Sequence, residues 1–252
     1  MTRVVSGVVM AATVLAMILF LPTPLLRLVA SGVAGLAAWE YVRLVGAPAG
    51  LAVLAALGCS MASSGSPMQF LLLPLLVVSV VVWHVLAERG DVRTAAAGAF
   101  CVAYIGVPLG VLVAAHARHG WPVTLLLLAT VVVSDSAQYY TGRLLGRRPL
   151  APTISPKKTI EGAIGGVVFG TLFMVGAGAR ALPSAPAIQL AALGGAVVAL
   201  GICGDLFESQ IKRQAGAKDS GTIIPGHGGV LDRIDALLFA TPAFAFYVGI
   251  LG

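Results

Sequence analysis

Apolar residues run almost without interruption through most of this chain, and the polar interruptions are short. A helical membrane span needs about 20 such residues. Segments of this kind lie at roughly 4–21, 25–43, 50–64, 69–87, 95–115, 121–140, 160–180, 187–208 and 232–251. The strands of a membrane β-barrel would instead alternate apolar and polar residues, which these segments do not. The pattern therefore predicts an all-α, polytopic integral membrane protein with about nine transmembrane helices.

Composition agrees with this prediction. Hydrophobic residues make up 58% of the chain and charged residues 10%, whereas soluble domains carry roughly a quarter charged residues. The first span continues into the second without a convincing cleavage site, so we interpret it as a retained anchor. We divide the chain into N-terminal transmembrane helices, 1–120, with about five spans, and a C-terminal catalytic region, 121–252. The longer loops of that region, 141–159 and 209–231, carry most of its charge.

The distribution of Lys and Arg predicts the orientation in the membrane. Because spans alternate in direction, the loops after spans six and eight emerge on the same side. If that side is cytoplasmic, thirteen of the 16 Lys and Arg lie inside, and only Arg27, Arg118 and Arg180 lie outside, as the positive-inside rule requires. We expect a plasma (inner) membrane protein whose N-terminus and active site are cytoplasmic and whose C-terminus is outside. Topology explains the net charge of +6, so no nucleic-acid partner is expected.

Asp205 is the first candidate for chemistry. It follows an apolar span and shares a helical face with Glu208, Ser209 and Lys212. A carboxylate near a helix C-terminus opposes the macrodipole and is costly at membrane depth. Two interpretations remain open here: an internal ion pair with Lys212 or Arg213, or a ligand for a divalent cation.

The last span opens with two further carboxylates. Asp232 and Asp235 are three residues apart, directly after the glycine-rich stretch "PGHGG" at 225–229. Acidic residues in a first helical turn can simply complement the dipole. Glycines, however, let the backbone approach a ligand closely and offer amide groups to an anion. Together these residues indicate a phosphate and metal site, in which His227 would contact phosphate or shuttle a proton.

A second polar block precedes span seven. Asp135 and Tyr139 follow helical spacing, and "SPKKT" begins the span with Ser155 as its predicted N-cap. Lys157 and Lys158 would then occupy the first turn, where cations oppose the dipole unless an anion binds there. Alternatively, the two lysines enforce topology or extend to the membrane interface.

Three glycines recur every four residues in span seven, at Gly162, Gly166 and Gly170. We interpret them as a helix-packing face. They do not indicate a nucleotide-binding loop, since no GxxxxGK[ST] motif is present. Cys59, Cys101 and Cys203 all fall in apolar spans and are predicted to be small core residues.

Residues 209–235, "SQIKRQAGAKDSGTIIPGHGGVLDRID", resemble the C-terminal signature of phosphatidate cytidylyltransferases, or CDP-diacylglycerol synthases. The matching positions are Ser209, Lys212, Arg213, Lys218, Asp219, His227, Gly228, Gly229, Asp232, Arg233 and Asp235. The upstream "SPKKTIEGAIGG" and Asp135 with Tyr139 are similar to the same family, which commonly has Ala where this chain has Gln138. The resemblance covers about 135–235, and the N-terminal half matches only in hydropathy.

This resemblance implies an all-helical, homodimeric enzyme of the lipid bilayer that joins CTP to phosphatidate and releases pyrophosphate. It also implies a magnesium requirement, with Asp205 and Asp232 as ligands beside Asp235, and potassium as a candidate second cation. The catalytic set is Asp205, Lys212, Arg213, Lys218, Asp219, His227, Asp232 and Arg233. The substrate-binding set is Asp135, Tyr139, Ser155, Lys157, Lys158, Thr159, Glu161, Ser209, Gly228 and Gly229.

Two other functions fit the same features. A transporter of a phosphorylated solute would also place ionisable residues within spans, although the predicted outer half of these spans is nearly free of charge. A CTP-dependent lipid-alcohol kinase would yield CDP and a lipid monophosphate instead of pyrophosphate and a CDP-lipid.

Overall fold

The protein is helical along most of its length. The computed structural model describes residues 2–64, 69–86, 91–224, 226 and 228–251. The helices are α1 (Thr2–Phe20), α2 (Thr23–Leu44), α3 (Ala52–Ala62), α4 (Gln69–Leu86), α5 (Val92–Phe100), α6 (Val107–His119), α7 (Trp121–Leu145), α8 (Ile160–Ala181), α9 (Ala187–Gln214) and α10 (Leu231–Leu251). A 3₁₀ turn, Ala49–Leu51, precedes α3, and a π-helical segment, Cys101–Gly106, joins α5 to α6.

Five helices of the described residues are long and apolar enough to cross a membrane. They are Thr23–Leu44, Val92–His119, Trp121–Leu145, Ile160–Ala181 and Ala187–Gln214, and two shorter apolar helices lie at Ser6–Phe20 and Ala49–Ala62. The prediction of an all-α membrane protein is confirmed at this level. The figure of about nine spans stays a prediction.

The chain divides into two compact units. The first unit comprises Met1–Arg118 together with Gln214–Ile234, and the second comprises His119–Arg213 together with Asp235–Gly252. The first unit therefore contains α1 to α6 and the 215–230 loop. The second contains α7, α8, nearly all of α9 and most of α10.

Close backbone approach characterises the first unit. The helix α3 packs against α2 and against the π-helical segment. A methyl group on Gly106 would lie 2.5 Å from the carbonyl oxygen of Ala55, and one on Gly110 would lie 2.5 Å from that of Cys59. Small residues thus let these backbones meet, as is common between membrane helices. Cys59 and Cys101 are buried here, as we predicted for them.

Glycines also set the packing of α7 on α8 in the second unit. A methyl group on Gly162 would lie 2.8 Å from the carbonyl oxygen of Gln138, and one on Gly170 would lie 3.2 Å from Ser134 Cβ, both on α7. One on Gly166 would overlap the Gln138 side chain. The predicted packing face is therefore confirmed. The prediction for Cys203 was wrong, because that thiol lies on the exposed surface of α9.

The structure overturns the predicted start of span seven. Residues 155–159 form a strand, β2 (Ser155–Thr159), which pairs antiparallel with β1 (Pro149–Ala151). The helix α8 begins at Ile160, and its N-cap is Thr159, whose Oγ1 accepts a hydrogen bond from Gly162 N at 3.1 Å. Ser155 is therefore not the N-cap. Thr159 instead accepts the hydrogen bond from a free amide of the first turn, which is the usual role of an N-cap residue.

Both polar loops are shorter than predicted because the helices before them extend further. The helix α7 continues to Leu145 and α9 to Gln214, so the loops begin near 146 and 215. Lys157 and Lys158 lie on β2, outside the first turn of a helix. Asp205 lies well before the end of α9, so the expected conflict with the C-terminal dipole does not arise, since that effect is confined to the last turn.

Candidate active site

Three carboxylates from three helices come together in the second unit. Asp135 lies on α7, Asp205 on α9 and Asp235 on α10. Asp235 interacts electrostatically with both Asp205 and Asp135, and Asp135 also interacts with Asp205. We call these three residues the carboxylate cluster. Like charges that interact in this way repel one another, and nearby cations offset the repulsion.

Two lysines supply positive charge to this cluster. Lys158 Nζ forms an ion pair with Asp205 Oδ2. Lys212 Nζ forms an ion pair with Glu208, one helical turn away on α9, and it also interacts with Asp235. Asp205 therefore forms an ion pair, which was one of its two interpretations, but its partner is Lys158 and not Lys212 or Arg213. Glu208 is fully buried, so this pair replaces its lost hydration.

Hydrogen bonds orient each carboxylate of the cluster. Ser209 Oγ donates to Asp205 Oδ1 at 3.4 Å, and Gln138 Nε2 donates to Asp135 Oδ1 at 3.0 Å. The backbone N–H of Ala236 donates to Asp235 Oδ1 at 2.7 Å. Gln138, where the chain departs from the family pattern, therefore holds a member of the cluster.

The β-hairpin is attached to the helices around it. Glu161 Oε2 accepts hydrogen bonds from the backbone N–H groups of Arg147 at 3.0 Å and Arg148 at 3.2 Å. Arg213 Nε donates to the carbonyl oxygen of Ile154 at 3.3 Å. Glu161 and Arg213 therefore fix the hairpin that carries Lys158.

The first unit contains a different carboxylate arrangement, around Asp232. Its Oδ2 atom accepts hydrogen bonds from Ser220 N at 2.9 Å and Gly229 N at 2.8 Å, and it lies 2.9 Å from Ser220 Oγ. One oxygen of Asp232 thus anchors the 215–230 loop.

Glu40, on α2, completes this arrangement, and the sequence reasoning missed it. Its side chain is 1% exposed. It accepts hydrogen bonds from Ser220 Oγ at 3.0 Å, Val230 N at 3.0 Å and Leu231 N at 2.8 Å. A single acidic residue within an apolar helix was the available signal, because such residues are rarely placed in a membrane span without a function. We call Glu40, Ser220, Asp232 and the amides of 229–231 the loop anchor.

The glycines of the loop leave space for this anchor. Gly228 has a φ of 80°, which favours glycine, and a methyl group there would lie 2.6 Å from Asp232 Oδ2. A methyl group on Gly229 would overlap both the Ser220 hydroxyl and the Glu40 carboxylate. The glycine run predicted to approach a ligand therefore approaches carboxylates of the protein itself.

The predicted site residues divide between the two units. The first unit holds Lys218, Asp219, Gly228, Gly229, Asp232 and Arg233, and the second holds Asp135, Tyr139, Ser155, Lys157, Lys158, Thr159, Glu161, Asp205, Ser209, Lys212, Arg213 and Asp235. His227 lies outside the described residues. Lys157, Lys218, Asp219 and Arg233 are exposed. The described residues include no group of three or more His, Cys, Asp or Glu side chains that could hold a metal ion.

Fold and site together define an α-helical integral membrane protein that carries an ionisable, polar site on its helices. The chain belongs to the cytidylyltransferase family, whose model matches residues 1–251.

Named relatives agree with this membership. A phosphatidate cytidylyltransferase of Pseudomonas aeruginosa is 33% identical over 256 residues, covering 96% of this chain and 94% of the relative. One of Haemophilus influenzae is 41% identical over 133 residues, covering 51% of this chain and 46% of the relative. The uncharacterized protein YnbB of Escherichia coli is 42% identical over 132 residues. In the latter two cases the chain spans a little under half the relative's length.

Proposed function

We propose that this protein transfers the cytidylyl group of CTP to phosphatidate, forming CDP-diacylglycerol and pyrophosphate for phospholipid synthesis. Membership of the cytidylyltransferase family over the whole chain supports this proposal, as does the relative of that name that matches nearly end to end. The observation that carries it is the carboxylate cluster with Lys158 and Lys212 beside it. In a reaction between two phosphates, carboxylates can hold a cation and lysines can hold phosphate oxygens.

The reaction requires positive charge more than a protein nucleophile. A phosphate oxygen of phosphatidate attacks the α-phosphorus of CTP, and the bond from that phosphorus to the bridging oxygen of pyrophosphate breaks. Both reactants are polyanions, so catalysis depends on cations and in-line positioning. Lys158 and Lys212, which are paired with Asp205 and Glu208, would hold phosphate oxygens when substrate binds. We propose direct displacement without a covalent intermediate, and trapping a cytidylyl-enzyme would contradict it.

A magnesium ion shared with substrate is the cofactor that we propose for this cluster. Mg²⁺ typically takes one or two carboxylates and completes its shell with substrate phosphates and water, so a closed protein cage is not needed. Asp205 and Asp235 would hold it, with Asp135 beside them. Bound there, the ion would neutralise triphosphate charge and help pyrophosphate depart. Asp232 as a further ligand, and potassium as a second cation, remain predictions.

We further propose the membrane arrangement that the sequence predicts. The protein would cross the inner membrane about nine times, with a cytoplasmic N-terminus, an external C-terminus and a homodimeric state. The acyl chains of phosphatidate can then stay in lipid while its headgroup reaches the cytoplasmic face. Thirteen of the 16 Lys and Arg on one side support this orientation.

Identifying both products tests the proposed function. Purified protein would be incubated with CTP, phosphatidate and Mg²⁺, and we expect pyrophosphate and CDP-diacylglycerol in equal amounts. CDP together with a phosphorylated lipid would instead indicate the lipid-alcohol kinase. Solute uptake into vesicles without CTP turnover would indicate the transporter.

Replacing Asp205 tests the metal assignment. We expect Asp205→Asn to lower turnover about a hundredfold or more and to raise the Mg²⁺ concentration for half-maximal activity, since a charged ligand is lost. Asp91→Asn is the matched control, because Asp91 is the N-cap of α5 and belongs to the first unit, whereas the cluster belongs to the second. Near-normal turnover and an unchanged Mg²⁺ dependence in Asp205→Asn would remove Asp205 from the metal site.

Comparing Asp232→Asn with Asp205→Asn separates the two carboxylates. If Asp232 only anchors the loop, its variant should lose turnover without a shift in Mg²⁺ dependence. A shift as large as that of Asp205→Asn would support Asp232 as a ligand.

A further inference from the structure

We propose that Glu40 is a positioning residue: its buried carboxylate on α2 fixes the 215–230 loop and the start of α10 in the geometry that substrate binding requires. The part of this proposal that concerns activity rests on the proposed function. The part that concerns loop order stands on the contacts of Glu40 alone.

Because Glu40 is buried, its carboxylate depends on hydrogen-bond donors from the protein. A carboxylate that is 1% exposed has lost nearly all its hydration, and it is stable only where donors replace the water. The described donors are Ser220 Oγ, Val230 N and Leu231 N, all between 2.8 and 3.0 Å away. All three belong to the loop or to its junction with α10. Their binding to Glu40 therefore fixes the positions of Ser220 and of the residues at the start of α10.

The negative charge of Glu40 lies at the N-terminus of α10 and stabilises it. Leu231 is the first residue of this helix, and its N–H points to the Glu40 carboxylate. The first amides of a helix have no partner within the helix, and a negative charge near them is favourable. Glu40 therefore acts as an N-terminal cap that comes from a distant helix.

Ser220 connects Glu40 to a residue of the predicted catalytic set. Its hydroxyl lies 3.0 Å from Glu40 Oε2 and 2.9 Å from Asp232 Oδ2, so its single hydrogen is shared between the two carboxylates. Methyl groups on Gly221 or Gly229 would overlap Glu40, so the loop backbone fits around this carboxylate. Without Glu40, Ser220 would no longer be fixed in one position, and Asp232 would lose a fixed hydrogen-bond partner.

Loop order can be measured without activity. Amide hydrogen exchange would be followed by mass spectrometry on the detergent-solubilised full chain, in the peptides that contain residues 215–232. We expect Glu40→Gln to raise the exchange rate there about tenfold or more, because charge-assisted bonds are lost. Asp91→Asn should leave the rate unchanged. Wild-type exchange in Glu40→Gln would overturn the proposal.

Kinetics then test the positioning role. We expect Glu40→Gln to lower kcat/KM for CTP and phosphatidate about ten- to a hundredfold, and Glu40→Asp, which keeps the charge on a shorter arm, to recover part of it. A purely structural role would lower the amount of folded protein but leave kcat and KM per folded molecule unchanged, which would contradict the proposal.

Ser220→Ala covers the case in which Glu40→Gln does not fold. This variant keeps the buried charge and its two backbone donors but removes the hydroxyl between Glu40 and Asp232. Faster exchange in the same peptides is expected, and unchanged exchange would count against the anchor. If the wild type lacks cytidylyl transfer altogether, the proposed function fails, while the exchange result still decides whether Glu40 orders the loop.

Discussion

Lys157 and Lys158 are adjacent in the sequence but have different surroundings. Lys158 is partly buried and ion-paired with Asp205, whereas Lys157 is exposed on the same strand. The difference arises because successive strand residues point to opposite faces. On the helix that the sequence predicted, both would have belonged to one turn and been treated alike.

We therefore expect Lys158→Met to lower cytidylyl transfer about tenfold or more, because it leaves Asp205 beside two like charges without its partner. Lys157→Met, at the exposed lysine of the same predicted substrate-binding set, should lower the rate less than Lys158→Met does, as exposed charges usually contribute little. The measurement is steady-state turnover at saturating CTP and phosphatidate. Equal losses in the two variants would contradict the prediction that Lys158, and not Lys157, acts through Asp205.

Site residues could be predicted from the sequence where they belong to a motif, but not where only tertiary contacts bring them to the site. The polar residues of 209–235 were found from the sequence alone because so many charges in an apolar chain must have partners. Glu40 was not, since its partners follow it by 180 residues or more. No local pattern links positions so far apart.

At the scale of elements, α7 and α8 show how the chain builds a rigid helix pair. Gly165 lies on the α8 face that meets α7, where a methyl group would lie 2.5 Å from Thr141 Cγ2 and 2.7 Å from Thr141 Cβ. Thr141 cannot easily move away, because its hydroxyl donates to the carbonyl oxygen of Ala137 at 2.6 Å. Gly176, on the same helix, has nothing within 4 Å of such a methyl group.

Alanine at these two glycines should therefore have opposite effects. We expect Gly165→Ala to destabilise the protein by about 1–3 kcal/mol through overpacking. Gly176→Ala should be neutral or stabilise it by up to about 1 kcal/mol, since alanine is the better helix former. Thermal unfolding in detergent, followed by circular dichroism, gives both values. Similar unfolding temperatures would mean that α7 and α8 can separate slightly at little cost.

Helices were predicted well and the hairpin was not, for a common reason. Continuous apolar segments leave a membrane-spanning chain no alternative to helix, because every backbone polar group must be satisfied internally. The segment "SPKKT" lies outside that constraint. There the capping preference of Ser and the Pro that follows it suggested a helix start, but pairing with 149–151 prevailed and moved the N-cap to Thr159.

For the whole molecule, the proposed orientation makes a prediction that needs no activity. With about nine spans and a cytoplasmic N-terminus, a reporter fused after Gly252 should lie outside. We expect alkaline phosphatase in that position to be active and green fluorescent protein to be dark. Fusions within the loop near 146 should give the reverse pattern, because that loop is predicted to be cytoplasmic. A bright C-terminal fluorescent fusion would contradict the external C-terminus.

The contacts of Glu40 also have a consequence for biosynthesis. During translation at about 5–20 residues per second, Glu40 leaves the ribosome roughly ten to forty seconds before Leu231, its partner 191 residues later. For that interval a lone acidic group sits in a newly inserted helix without its final donors. A chain that stops before residue 220 would keep this carboxylate without the three donors that the finished protein supplies.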